Sequence, residues 1–114
     1  MPIVDISGLS AGEAPQKQQI RTRIQLLFHT KFGIPHSSTA VTFIEDATLG
    51  NELSNHVMAR LYSKIFKTMD QATTENVCDE VVDILEKEAG HAYNEAFPIP
   101  ILAMRGRENT RQRA

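Results

Sequence analysis

Pro2 is the first residue whose chemistry stands out, in the opening stretch MPIVDI. Met1 precedes a small residue and is expected to be trimmed, which leaves Pro2 with a secondary amine at the mature N-terminus. An ordinary α-amino group titrates near ~7.7–8.0, and apolar burial disfavours its charged form, so a neutral base is available at neutral pH. Such a base can interconvert an enol and its keto form, and if kept protonated it serves as an acid instead. The plain structural alternative is a proline that only opens a strand. A second group of side chains alternates along the chain: Arg60, Tyr62 and Lys64. Arg60 is always charged and can hold a carboxylate through two parallel hydrogen bonds, with Lys64 and Tyr62 as further candidates on the same face. Against this stands a salt-bridge role for Arg60 and Lys64 with Glu45 or Asp46, and a packing role for Tyr62.

Other chemistries find little support. His29, His36, His56 and His91 show no ligand spacing to one another or to a cysteine, and His29 reads as a helix-surface residue. Cys78, beside an apolar helix stripe, reads as a buried structural thiol. The sequence holds no glycine-rich phosphate loop, paired-cysteine motif or nucleophile elbow. No metal and no cofactor is implied.

The elements that must carry these residues follow from periodicity. Pro2 to Ile6 is a short β-branched strand. From Pro15, the apolar residues Ile20, Ile24, Leu27 and Phe28 define a helix with one buried stripe, ended by Gly33 and followed by Pro35. Thr39 to Ile44 is a second strand, and residues 47–55 link it to a third around Val57 to Ile65. On the third strand Val57, Ala59, Leu61, Ser63 and Ile65 take one face, and His56, Met58, Arg60, Tyr62 and Lys64 the other. A second helix, capped by Thr73 or Thr74, buries Val77, Val81, Ile84 and Leu85 and stops at Gly90. A last strand is expected at Ile101 to Met104, because Pro98 and Pro100 argue against an earlier start. The order is β-α-β, link, β-α-β. Two right-handed units in one four-stranded sheet leave both helices on a single face, an α+β fold, and a half-polar opposite face that calls for an oligomer.

Composition bounds the class. The 114 residues, 41% hydrophobic and 23% charged, suit one globular domain. No apolar run approaches the ~18 residues of a membrane span, and no signal pattern opens the chain, so a cytoplasmic protein without membrane contact is expected. The net charge of −2 is uneven. Arg105, Arg107, Arg111 and Arg113 lie in the last ten positions against Glu108 alone, leaving eight basic and thirteen acidic residues before them. Residues 1–104 are read as the domain and 105–114 as a basic, flexible tail. Without aromatic interleaving or a recognised module the tail is not read as a nucleic-acid binder.

The opening MPIVDI, the turn GIPHSSTAVTFIED with Pro35, and the strand ARLYSKIF with Lys64 together resemble the tautomerase superfamily, whose members begin with a catalytic amino-terminal proline. The resemblance runs over roughly residues 2 to 104 and fits the larger single-chain members, such as 5-carboxymethyl-2-hydroxymuconate isomerase and macrophage migration inhibitory factor. It implies a homotrimer and a cofactor-independent isomerase, acting through Pro2 on a small 2-oxo or 2-hydroxy-dienoate acid. Arg60, Lys64 and Tyr62 are then the candidates for holding the substrate. It also implies differences. The family's second-strand arginine aligns with Ala40, Leu9 to Ala11 supply no arginine before the first helix, and Ile34 stands at the lysine of the cytokine-like members. The Tyr and Asn of the final strand are lacking unless Tyr93 and Asn94 serve. A catalytically weak binding or signalling protein on the same fold is the alternative.

Overall fold

A computed structural model describes residues 2–44, 56–91 and 93–100. Strand β1 (Ile3–Ser7) leads through a tight turn (Ala11–Glu13) to helix α1 (Ala14–Phe32), a second turn (His36–Ser38) and strand β2 (Ala40–Ile44). Strand β3 (His56–Ser63) is followed by a one-turn helix α2 (Ile65–Thr68), helix α3 (Gln71–Ala89) and strand β4 (Tyr93–Pro100). The sheet order is β2-β1-β3-β4. β1 pairs with β2 in parallel, β3 with β4 in parallel, and the two halves meet through the antiparallel pair β1–β3. An antiparallel junction relates the halves by a rotation normal to the sheet, which leaves both crossover helices on one face. The expected mixed sheet with its one-sided pair of helices is what the chain forms.

The two helices dock by the same arithmetic. Ile20, Ile24 and Phe28 in α1, and Val77, Val81 and Leu85 in α3, recur every four residues and are fully buried. They close over Val4 and Ile6 of β1, Val41 of β2, and Val57, Ala59 and Leu61 of β3. Pro15 lies in the first turn of α1, and Gly33 and Gly90 end the two long helices in the left-handed conformation that lacks a Cβ penalty. Among the described residues no helix is long and apolar enough to cross a membrane.

Three boundaries differ from expectation. β3 ends at Ser63, so Ile65 opens α2 and Lys64 is its N-cap rather than a strand residue. The cap of α3 is Asp70, whose Oδ1 accepts the Thr73 N–H at 2.7 Å, while the Thr74 hydroxyl donates to the Asp70 carbonyl at 2.9 Å. β4 starts at Tyr93 and runs through Pro98 and Pro100, whereas Ile101 to Met104 lie outside the described residues, as do Glu45, Asp46 and the tail. The prolines are tolerated because β4 is an edge strand. Both have the same parity, and an edge strand leaves alternate N–H groups without a ladder partner, where a proline removes no bond. Cys78 is half-buried rather than buried, and burial, with Asp79 and Glu75 beside it, pushes the thiol pKa up. A thiol held protonated is a poor nucleophile.

Two long-range ties hold the ends of the elements. Glu13 accepts the Ser10 N–H and hydroxyl, both at 3.0 Å, through Oε1 and meets His91 Nε2 at 2.8 Å through Oε2. Gly8, at φ +105°, lets the chain leave β1 against the backbone of β3; a Cβ there would run into the His56 carbonyl oxygen and sit 3.0 Å from Val57 Cα.

Gly8→Ala is therefore expected to cost ~2 kcal/mol or more in urea unfolding, from left-handed strain plus the backbone clash. Gly12→Ala, whose Cβ meets only Ser10 Oγ at 3.8 Å, should change stability by less than ~0.5 kcal/mol. Equal costs would contradict this account. For Glu13, burial raises the pKa, but the Ser10 N–H, His91 and the Ser10 hydroxyl together hold it below the usual carboxylate range. A depressed folded value means the stabilisation is complete above the unfolded pKa and fades as pH falls through the folded one. Glu13→Gln should lower the urea midpoint at neutral pH, with the gap to wild type closing on acidification; a gap constant with pH would refute the linkage.

Candidate active site

β1 is one of the two inner strands of the sheet, between β2 and β3, and its register locates Pro2. Ile3 pairs with Ala40 on one side and Tyr62 on the other. Continuing by one residue puts Pro2 between Thr39 and Ser63, and the Pro2 carbonyl accepts the Ala40 N–H at 3.0 Å. Pro2 shares its parity with Val4 and Ile6, so its ring is on the helix-covered side, and it is fully buried. Thr39 and Ser63 are both 2% exposed. Ser63 Oγ accepts the Ile65 N–H at 3.3 Å, which anchors the strand-to-helix switch. Gln25 of α1 donates to the Thr39 carbonyl at 3.2 Å, yet the Thr39 hydroxyl itself is buried with no hydrogen-bond partner among the described residues. Such a group costs stability unless something else needs it. The result is a dry end of the sheet in which a proline nitrogen lies in register between two hydroxyl residues.

The other sequence candidates divide. Tyr62 is the direct neighbour of Ile3, and Lys64 follows Ser63 and is exposed, so both belong to the Pro2 end of the sheet. Arg60 pairs with Asp5, three residues further along β1, or about 10 Å at ~3.3 Å per residue. It points to the open face rather than the helix face. Among the described residues Arg60, Tyr62 and Lys64 form no hydrogen bond or ion pair with one another. Asp5, missed in the sequence, stands across from Arg60 and accepts the Thr42 hydroxyl at 3.1 Å. Thr39 and Ser63 were also missed, because only the register brings them beside Pro2.

The open face has two ends. Rows across it run Ala40, Ile3, Tyr62, Ile99 and then Thr42, Asp5, Arg60, Phe97. At the far end His56 Nε2 lies 3.1 Å from Glu95 Oε2, with the Tyr93 ring edge-on to it at 4.8 Å. Tyr93 and Asn94 are thus at the end opposite Pro2 within one chain. Asn94 Nδ2 donates to the His91 carbonyl at 3.2 Å. Large apolar side chains remain on this face: Tyr93 is 57%, Phe97 43% and Ile44 40% exposed. Among the described residues no three His, Cys, Asp or Glu side chains gather as a metal site. His29 is on the helix surface as expected, but its ring packs against that of His36, a proximity the seven-residue spacing did not reveal.

No protein-family model and no curated protein sequence matches the chain. Solved structures do. The macrophage migration inhibitory factor-like protein from Entamoeba histolytica superposes with a TM-score of 0.65 at 15% identity, covering 88% of each chain. A fused 4-OT, solved as a wild-type asymmetric trimer, gives 0.64 at 10% identity over 86% of each chain. Pt0534, solved after inactivation by 2-oxo-3-pentynoate, gives 0.61 at 17% identity over 90% of this chain and 89% of that one. At such identities the likeness establishes the fold: the chain adopts the tautomerase fold.

Proposed function

We propose that the protein is a cofactor-independent keto–enol tautomerase of small 2-oxo acids, working through the Pro2 amine as a homotrimer. The observation that carries this reading is the place of Pro2: buried at a dry sheet end, in register between Thr39 and Ser63, on this fold. Once Met1 is removed, the neutral amine takes the enol hydroxyl proton and returns a proton to the neighbouring carbon, so the O–H electron pair forms the carbonyl while the C=C π pair takes the proton as a new C–H bond, leaving a C–C single bond. No net charge or electron is gained or lost. Lys64, which follows Ser63, holds the substrate carboxylate, with Tyr62 at the same end and Arg60 one row further in. Inactivation of Pt0534 by a small 2-oxo acid supports this substrate class.

Two features support the trimer. Tyr93, Phe97 and Ile44 leave apolar area on the open face that a further copy would cover, and one neighbour is a trimer. Tyr93 and Asn94 reach a Pro2 site only from a second copy, since in one chain the sheet separates them. A second reading, a weakly active binding protein on the same fold, draws on one observation: Ala40 and Ile34 stand where the family's arginine and lysine are expected.

Intact mass should show loss of Met1, and the processed protein should turn over phenylenolpyruvate. Pro2→Ala, which keeps a primary amine, should reduce turnover by ~10²–10⁴-fold while fold and oligomer persist. Unchanged turnover in that variant would sink the tautomerase reading, and no turnover in processed wild type would favour the binding protein. Lys64→Ala should raise KM more than Arg60→Ala does, with kcat little changed if the residue only holds the carboxylate. Thr39→Val should leave the urea midpoint equal or higher, because its hydroxyl is orphaned.

A further inference from the structure

We propose that His29 and His36 form a two-imidazole binding site for a transition-metal cation of the Zn²⁺, Ni²⁺ or Cu²⁺ class, at the C-terminal end of α1. Their ring centroids are 4.6 Å apart with planes tilted by 33°. His29 is in the last turn of α1, and His36 opens the turn His36–Ser38 that follows Pro35. His29 Nδ1 lies 3.1 Å from the Ile34 carbonyl oxygen. A carbonyl only accepts, so Nδ1 carries the proton and Nε2 of the neutral ring keeps its lone pair. Metal-binding histidines use this arrangement, with the second nitrogen donating to a carbonyl or carboxylate that fixes ring and tautomer.

The surroundings favour a cation there. The last carbonyls of a helix carry a partial negative charge, and both rings lie at that end of α1. Lys31, the cation two residues on, is held by Glu80 at 3.0 Å. His56 and His91, by contrast, are each engaged by a carboxylate, Glu95 at 3.1 Å and Glu13 at 2.8 Å. Both His29 and His36 are exposed, so a metal can reach them and neither is needed for the core. Two imidazoles suit Zn²⁺, Ni²⁺ and Cu²⁺, with affinity rising toward Cu²⁺. Since no third protein ligand gathers among the described residues, water completes the coordination. A bound metal would fasten the end of α1 to the turn that delivers Thr39 beside Pro2. The site does not depend on the tautomerase reading.

The test uses untagged full-length protein titrated with ZnCl₂ and with NiSO₄ by calorimetry, with imidazole NMR to locate the metal. One saturable site is expected, moving the His29 and His36 ring signals and leaving those of His56 and His91 in place. His29→Gln and His36→Gln should each weaken binding by at least ~10-fold, the lower end of what losing even an outer-shell partner costs, with circular dichroism unchanged. No saturable binding, undiminished affinity in the double variant, or metal-induced shifts centred on His56 or His91 would each overturn the proposal.

Discussion

The register of β1 between β2 and β3 is the constraint on which the rest of the structure depends. With five residues, β1 sets Val4 and Ile6 against both helices and turns Ile3 and Asp5 to the open face. A slip of one residue would exchange these sets, burying Asp5 and exposing Val4 and Ile6. The same register delivers Pro2 to the buried side and places Thr39 and Ser63 beside it. Core packing and the candidate site therefore rest on a single choice of pairing, and Gly8 helps hold it by letting the chain leave β1 tight against His56.

The sequence shows this architecture where local signals and tertiary context agree. The four-residue recurrence in both long helices, the left-handed glycines at their ends and the alternation of β3 each point to one element. It misleads where tertiary context decides. Pro98 and Pro100 read as strand breakers, but a proline is harmless where its missing donor faces a free edge, and edge status depends on the sheet order. The alternation of β3 continues formally to Lys64 and Ile65, although the chain has already turned into α2, with Ser63 Oγ taking the Ile65 N–H. Asp70 outdoes the threonines as a cap because it precedes the first turn with its oxygen 2.7 Å from the Thr73 N–H.

For the candidate site, the sequence offers the residue types and not their geometry. That Arg60 faces Asp5, while Lys64 and Tyr62 share the end of Pro2, depends on an antiparallel register between segments over fifty residues apart. Alternation alone places Arg60, Tyr62 and Lys64 on one face and treats them as equals. Pairing ranks them.

The sheet's two edges and its open face are treated differently, and the difference bears on assembly. On β2, the Arg21 guanidinium donates to the Val41 carbonyl at 3.4 Å and lies 5.3 Å from the Phe43 ring centroid, so an outward-facing acceptor is already occupied. On β4, Pro98 and Pro100 remove donors from the outer edge. Both devices discourage indiscriminate strand-to-strand growth. Among the described residues the open face has no such device: Ile44, Tyr93 and Phe97 are exposed, and Asp5 and Arg60 are cross-strand neighbours in its middle. Apolar residues around a central charge pair suit a face that closes against copies of itself, because the rim supplies buried area while the charges penalise a misaligned partner. Tyr93, paired with His56, stands on this open face, whereas Asn94, paired with the buried Val57, has the parity of the helix side, so a copy packed on the open face would cover Tyr93 and leave Asn94 to the core side.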